Sequence, residues 1–325
     1  MSDAFARLDP EVASLLTQLA AQPRPPIESL TPQQARAAYV EMNRALGLPA
    51  APVARIQELA APGPLGPIPL RLYRPQAEDK TPAPVVVYLH GGGWVIGDLD
   101  SHDSLCRQLA LGSGCAVLAV HYALAPEHPA PASPDDVLAA LHWLATAGAA
   151  FNLDTARVAV AGDSAGGGLA AMAALHLREG PLKLKAQVLI YPGVDNTPAA
   201  WDHPSRVENA QVPPLTRPLM DYFSGMYLKD ADTLDPRVSP LYAPSHADLP
   251  PALIFGAECD ALRDDARLYA QALIKAGNSV EYHELPGMIH GFIEMLGVLP
   301  GVRWTLERMN AFLREHLGAE TPPCA

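Results

Sequence analysis

The chain has 325 residues, 49% of them apolar and 18% charged, so it can bury enough surface to offset chain entropy, which excludes intrinsic disorder. Its formal charge of −12 lacks the cationic footprint that nucleic-acid binding requires. Proline stands out at 34 residues, about twice the ordinary share of roughly 5%, and the length suits one large or two small domains.

The opening stretch MSDAFARLDPEVASLL mixes acidic with apolar residues, unlike a signal peptide, and leads into amphipathic helical patterns over 11–21 and 31–46. Residues 53–74, broken by Pro and Gly, predict two strands forming an antiparallel edge. Nearly continuous apolar runs follow at 85–89, 116–122, 157–161, 187–191 and 252–256, the pattern of strands covered on both faces. Helical patterns at 104–112, 134–148, 165–180 and 262–277 alternate with them, with Gly148, Gly180 and Gly277 expected as C-terminal caps. This order predicts an α/β fold with a doubly wound, mostly parallel sheet. Residues 195–230 interrupt the rhythm with Pro-rich loops and a helical pattern over 215–228. The expected organisation is therefore a covering layer from residues 1–50 and 195–230, over a core built from 51–194 and 231–325.

No apolar run approaches the roughly 18 residues of a membrane span. Cys106, Cys115, Cys259 and Cys324 show no metal-binding spacing, so free thiols in a reducing, cytoplasmic setting are expected, with no metal and no cofactor.

Gly162-Asp163-Ser164-Ala165-Gly166 lies between a strand and a helix, the strand–turn–helix setting of a nucleophile elbow. Its small residues permit a strained turn that lifts Ser164 above the sheet, although a serine at a helix start can also be a plain N-cap. His90-Gly91-Gly92-Gly93-Trp94 follows the 85–89 strand and lacks nucleotide-loop spacing. Its unobstructed amides suit an oxyanion, and the expected donors are the N–H groups of Gly91, Gly92 and Ala165. Among 11 histidines, His290 lies in a loop just after a strand, where a base can reach a serine on another such loop. His283, in the preceding strand, is the main rival; His142 and His176 sit mid-helix, and His121 reads as a core residue. Asp260 is the expected orienting acid, with Glu258 nearby and with Asp264 and Asp265 expected as solvated or capping residues.

These motifs resemble those of the hormone-sensitive-lipase-like bacterial esterases of the α/β-hydrolase fold. The resemblance spans residues 50–320 and includes Tyr122-Ala123-Leu124-Ala125-Pro126-Glu127-His128-Pro129, Asp235-Pro236-Arg237-Val238-Ser239-Pro240-Leu241 and His290-Gly291-Phe292. Neither of the first two stretches has a chemical role readable from sequence, and both are expected to brace the site. The resemblance implies a carboxylester hydrolase with chain order Ser164, Asp260, His290, a helical cap, short acyl chains and frequent dimers. One departure is Ala261 where the family's acid segment carries proline, which loosens φ but leaves the carboxylate in place.

The expected chemistry is acyl transfer from a small-molecule ester to water, with activity falling at acid pH because the base must be neutral. Rival readings are an amidase or peptidase of the same fold and a non-catalytic small-molecule receptor. Trp94, Tyr191, Phe223 and Met226 are candidates to line an apolar pocket, and an exposed edge strand at 279–285 would allow a homodimer.

Overall fold

Full burial of Ala83–Leu89 and Ala116–Val120 follows from side chains that are apolar on both faces of the strand. In chain order the elements of the computed structural model are α1 (Asp3–Ala6), α2 (Pro10–Ala20), α3 (Pro32–Leu46), β1 (Arg55–Gly63), β2 (Gly66–Arg74), β3 (Ala83–Leu89), α4 (Asp103–Ser113), β4 (Ala116–Val120), α5 (Ala132–Ala147), β5 (Leu153–Asp163), α6 (Ala165–Leu177) and β6 (Leu184–Ile190). They continue with α7 (Pro204–Glu208), α8 (Arg217–Tyr227), β7 (Ala252–Ala257), α9 (Arg263–Lys275), β8 (Val280–Leu285) and α10 (Trp304–Leu317). The structure describes residues 3–22, 24–76 and 81–319; Cys324 lies outside them.

The sheet has eight strands in the order β1-β2-β4-β3-β5-β6-β7-β8. β1 and β2 form the antiparallel edge, β2 meets β4 antiparallel, and all later pairings are parallel. Period-2 alternation sends Val86 and Tyr88 of β3 to one face, under α4 and α10. Val85, Val87 and Leu89 go to the other face, under α5, α6 and α9. Each such buried side chain contributes about 1.5–3 kcal/mol. Strand order reverses around β3, and in open α/β sheets ligands bind where that happens, outside the carboxyl ends of the strands.

A third apolar cluster joins α3 and α8 to the loop after β3 through Tyr39, Ile96, Leu219 and Phe223. Val12 and Leu15 of α2 lie outside this cluster and belong instead to the one on the α10 face of the sheet, with Leu299 and Val302. α3 starts with a reciprocal capping box between Thr31 and Gln34 and a Pro at its first turn.

Two other details depart from expectation. Gly148 stays right-handed (φ −57°) because α5 runs on into a 3-10 turn, and Asn152 makes the left-handed exit at φ 52°. Asp264 and Asp265 are buried rather than solvated. The reason is the inserted segment: Asp265 accepts hydrogen bonds from the Val194 and Asp195 amides (3.2 and 3.1 Å) and from Arg206 (3.1 Å), while Asp264 accepts from the Ser205 amide (2.8 Å). The core therefore grips the inserted segment through a buried ion pair. Arg206→Met leaves Asp265 without its buried partner and is expected to cost about 3–5 kcal/mol of stability, read from the urea unfolding midpoint.

Candidate active site

Ser164 occupies the turn between β5 and α6 at φ 54°, ψ −119°, a conformation costly for a non-glycine residue and held by its surroundings. Its amide donates to Ile190 O (2.8 Å), and its carbonyl accepts from Gly168 and Gly193 (both 3.0 Å). The flanking glycines are steric necessities. A Cβ on Gly162 would meet Gly166 O at 2.3 Å, and one on Gly166 would meet Leu89 O at 2.0 Å.

Above the sheet's carboxyl edge, His290 Nε2 lies 2.8 Å from Ser164 Oγ and His290 Nδ1 lies 2.7 Å from Asp260 Oδ2. A carboxylate only accepts, so Nδ1 carries the hydrogen and Nε2 is left basic toward the serine. Asp260 Oδ1 accepts from the Leu262 amide (2.9 Å), and Asn209 Nδ2 holds the Asp260 carbonyl (2.9 Å). Burial opposes charge on His290, but the Asp260 carboxylate outweighs it, with Glu294 and Asp163 adding to the same effect, so its pKa is raised above the ordinary 6.5. His283 points elsewhere, paired with Glu281 at 2.6 Å on β8. Glu258 accepts from the Gly287 amide (2.8 Å), away from His290 Nδ1.

The glycine loop after β3 corrects one expectation. The Gly91 N–H donates to the buried Asp163 Oδ1 (3.1 Å), and a Cβ on Gly91 would fall 2.2 Å from Asp163 Oδ2. Gly91 is thus a glycine to admit that carboxylate, and its amide is occupied. Gly92 and Gly93, at φ 119° and 57°, line the cavity beside Ser164 and Ala165. Among the described residues no acceptor takes the amides of Gly92, Gly93 or Ala165.

The cavity over Ser164 measures about 330 Å³ and is mostly apolar, lined by Tyr39, Met42, Ile96, Leu219 and Met220 among others. Of the four pocket candidates, Trp94 and Phe223 line it. Trp94 stacks on Tyr227 with ring centroids 4.4 Å apart. Tyr191 does not line it: fully buried below the sheet end, its ring backs His290 at 4.5 Å. Met226 also falls outside the lining, packed within the cap cluster. The two bracing stretches are accounted for. Arg36 of α3 donates to Ala125 O (3.0 Å) and Val95 O (2.9 Å), and Arg237 pairs with both Asp235 (2.8 Å) and Asp135 (2.9 Å). His121 is only half-buried, just past β4, with Nδ1 unpartnered among the described residues.

Behind the serine lies a group that sequence reasoning passed over. His102 Nε2 stands 3.2 Å from Asp163 Oδ1 and 3.7 Å from Glu294 Oε1; His102 and Asp163 are buried and Glu294 is partly so. Burial pushes His102 down, but the Asp163 and Glu294 carboxylates override it and hold its pKa up to about 10. Burial likewise opposes charge on Asp163, and His102 overrides it, holding that carboxyl below the usual range. Burial raises Glu294. One ligand atom from each of the three lies within 4.8 Å of the others, so His102 Nε2 faces both carboxyl groups. The one signal in the sequence was the aspartate directly preceding Ser164.

With this geometry in place, comparison with known proteins gives a consistent answer. A family model described as alpha/beta hydrolase fold matches residues 86–294, more than half of the chain, which therefore belongs to that family, in its hormone-sensitive-lipase-like branch. Esterase LipI of Mycobacterium tuberculosis is 43% identical over 82% of this chain and 83% of its own length. An ethyl acetate hydrolase of Pseudomonas putida is 39% identical over 77% and 79%. Among solved structures, the ester-hydrolase EH1AB1 from the metagenome of Lake Arreo, complexed with a bipyridine phosphonate derivative, superposes with a TM-score of 0.90 at 38% identity, covering 96% of this chain and 99% of that one.

Proposed function

We propose that this chain hydrolyses short- to medium-chain carboxylic esters through an acyl-enzyme formed on Ser164. The observation that carries the reading is the unbroken line from Asp260 through His290 to Ser164, at 2.7 and 2.8 Å, opening on a mostly apolar cavity. Neutral His290 takes the Ser164 proton as Oγ attacks the ester carbonyl. The developing oxyanion is received by the amides of Gly92, Gly93 and Ala165. Asp260 stabilises the imidazolium, which then protonates the leaving alcohol, and water repeats the sequence on the acyl-enzyme. A volume of about 330 Å³ sits at the small end of the roughly 300–1,000 Å³ of small-molecule sites, which favours short acyl groups. The relatives named as esterases and as an ethyl acetate hydrolase support the ester over an amide.

The test is hydrolysis of p-nitrophenyl acetate to decanoate beside a p-nitroanilide, across pH. Esters are expected to turn over and the anilide not. Only neutral His290 is active and its pKa is raised, so kcat/KM should fall with unit slope on the acid side, from a midpoint above 6.5. A rate flat from pH 5 to 9 would remove His290 as the base.

Two further elements belong to this reading. No helix among the described residues is long and apolar enough to cross a membrane, and Cys106 and Cys115 are buried free thiols, which supports a reducing, cytoplasmic setting. β8 ends the sheet and pairs only with β7 among the described residues, an edge on which two copies can join. A sedimentation mass equal to one chain would remove the dimer.

A further inference from the structure

We propose that His102 is a positioning residue for the hydrolysis inferred above: with Asp163 and Glu294 it forms a buried ion cluster that fixes the oxyanion loop against the nucleophile elbow. The cluster joins the three chain segments that bear the reacting groups. Asp163 is the residue before Ser164, its Oδ1 accepts the Gly91 amide immediately before the two proposed oxyanion donors, and Glu294 lies four residues beyond His290. The titratable atoms of His102, Asp163 and Glu294 all lie within 4.8 Å of one another.

The protonation pattern follows from hydrogen-bond bookkeeping. Ser101 Oγ has one hydrogen, which it gives to Asp98 O (2.8 Å), so toward His102 Nδ1 (2.9 Å) it accepts. Nδ1 therefore carries a hydrogen, and Nε2 faces two carboxyl groups, the arrangement of an imidazolium. Asp163 Oδ1 also accepts from Tyr88 OH (2.7 Å). A charged acceptor held by Tyr88 and His102 fixes the Gly91 amide more firmly than a neutral one. With Gly91 fixed, the next two amides keep their direction toward the space above Ser164. Burial, reinforced by the His102 charge, pushes the neighbouring His90 down to about 3, so the charge of this group stays on His102. A displaced donor weakens an interaction made mainly in the transition state, so the loss falls on kcat rather than KM.

The experiment measures kcat and KM for p-nitrophenyl butyrate at pH 8, on chains shown to be folded by circular dichroism. The set is wild type, Ser164→Ala, His102→Gln, Tyr88→Phe and the double variant His102→Gln/Asp163→Asn. His102→Gln is expected to lower kcat at least tenfold with KM within about threefold. The double variant discharges Asp163 as well, while the amide oxygen left by Asp163→Asn still accepts from Tyr88 and Gly91. Its kcat should recover at least threefold over the single variant, a rescue that lost packing alone would not give. A folded His102→Gln with wild-type kcat, or a double variant no faster than the single, overturns the proposal. If His102→Gln does not fold, Tyr88→Phe decides: a kcat loss of threefold or more at constant KM supports the cluster, and an unchanged kcat overturns it. A wild-type chain without esterase activity, or activity that survives Ser164→Ala, instead overturns the esterase reading on which this rests.

Discussion

Ser164→Ala is expected to lower kcat/KM for p-nitrophenyl butyrate by at least about 10⁴-fold while the chain stays folded. The substitution deletes Oγ, the atom 2.8 Å from His290 Nε2, and with it any acyl-enzyme. What remains is binding and the oxyanion donors, which in serine hydrolases sustain only about 10³–10⁴-fold over the reaction in water. The backbone is little affected, because alanine meets the same φ of 54° at about the same cost as serine. Stopped-flow traces at excess enzyme should show no fast release of p-nitrophenol from the Ser164→Ala chain. Turnover within tenfold of wild type would place the nucleophile elsewhere.

Asp260→Asn should be nearly as damaging, by about 10²–10⁴-fold in kcat with KM changed only a few-fold, and for a reason the hydrogen bonds specify. Asp260 Oδ1 accepts the Leu262 amide at 2.9 Å, so the carboxamide must keep its oxygen there. Its NH₂ group then faces His290 Nδ1, which forces the ring hydrogen onto Nε2, the nitrogen that must be basic toward Ser164. Loss of the charge also removes the main influence raising His290, so the acid limb of kcat/KM moves to lower pH. Asp260→Asn with wild-type kcat would assign the orienting acid to another residue. The neighbouring Glu258 is engaged elsewhere, accepting the Gly287 amide (2.8 Å) and facing Arg7 (3.5 Å).

Much of this site was legible in the sequence, because strand-ending loops carry it. Ser164 and Asp260 follow apolar runs and His290 follows the alternating strand β8, and such strand-ending loops meet above the sheet by topology alone. Where the reading slipped, a long-range contact made the decision. Three consecutive glycines offer the same local signal, and Gly91 drops out as a donor only because Asp163, from a different strand, lies against its Cα. Asp264 and Asp265 look like an ordinary acidic first turn of a helix until the inserted segment brings Arg206 and Ser205 onto them. Tyr191 and Met226 fit an apolar pocket by type, but which side of the sheet end or cap they face depends on tertiary packing that no local pattern carries. His102 was invisible for the same reason: its meaning comes from partners 61 and 192 positions away, Asp163 and Glu294.

Proline placement also gains a physical reading. Fourteen of the 34 prolines lie in residues 1–84, four in 126–134 and ten in 198–251. Pro26, Pro213 and Pro214, in the first and last of these stretches, line the cavity over Ser164, so fixed φ angles help shape it.

The placement of α2 has a consequence for the birth of the molecule. Val12 and Leu15 share an apolar cluster with Leu299 and Val302, the Asp9 amide donates to Gly287 O (2.9 Å), and Glu11 accepts the Gly301 amide (3.3 Å). At roughly 5–20 residues per second of synthesis, α2 waits on the order of 15–60 s at the ribosome before the partners of its apolar face emerge. Those same partners flank the loop of His290. The segment 287–302 therefore both covers α2 and carries His290, the proposed base, so a chain stopped short of residue 290 is expected to leave the apolar face of α2 uncovered and to lack esterase activity.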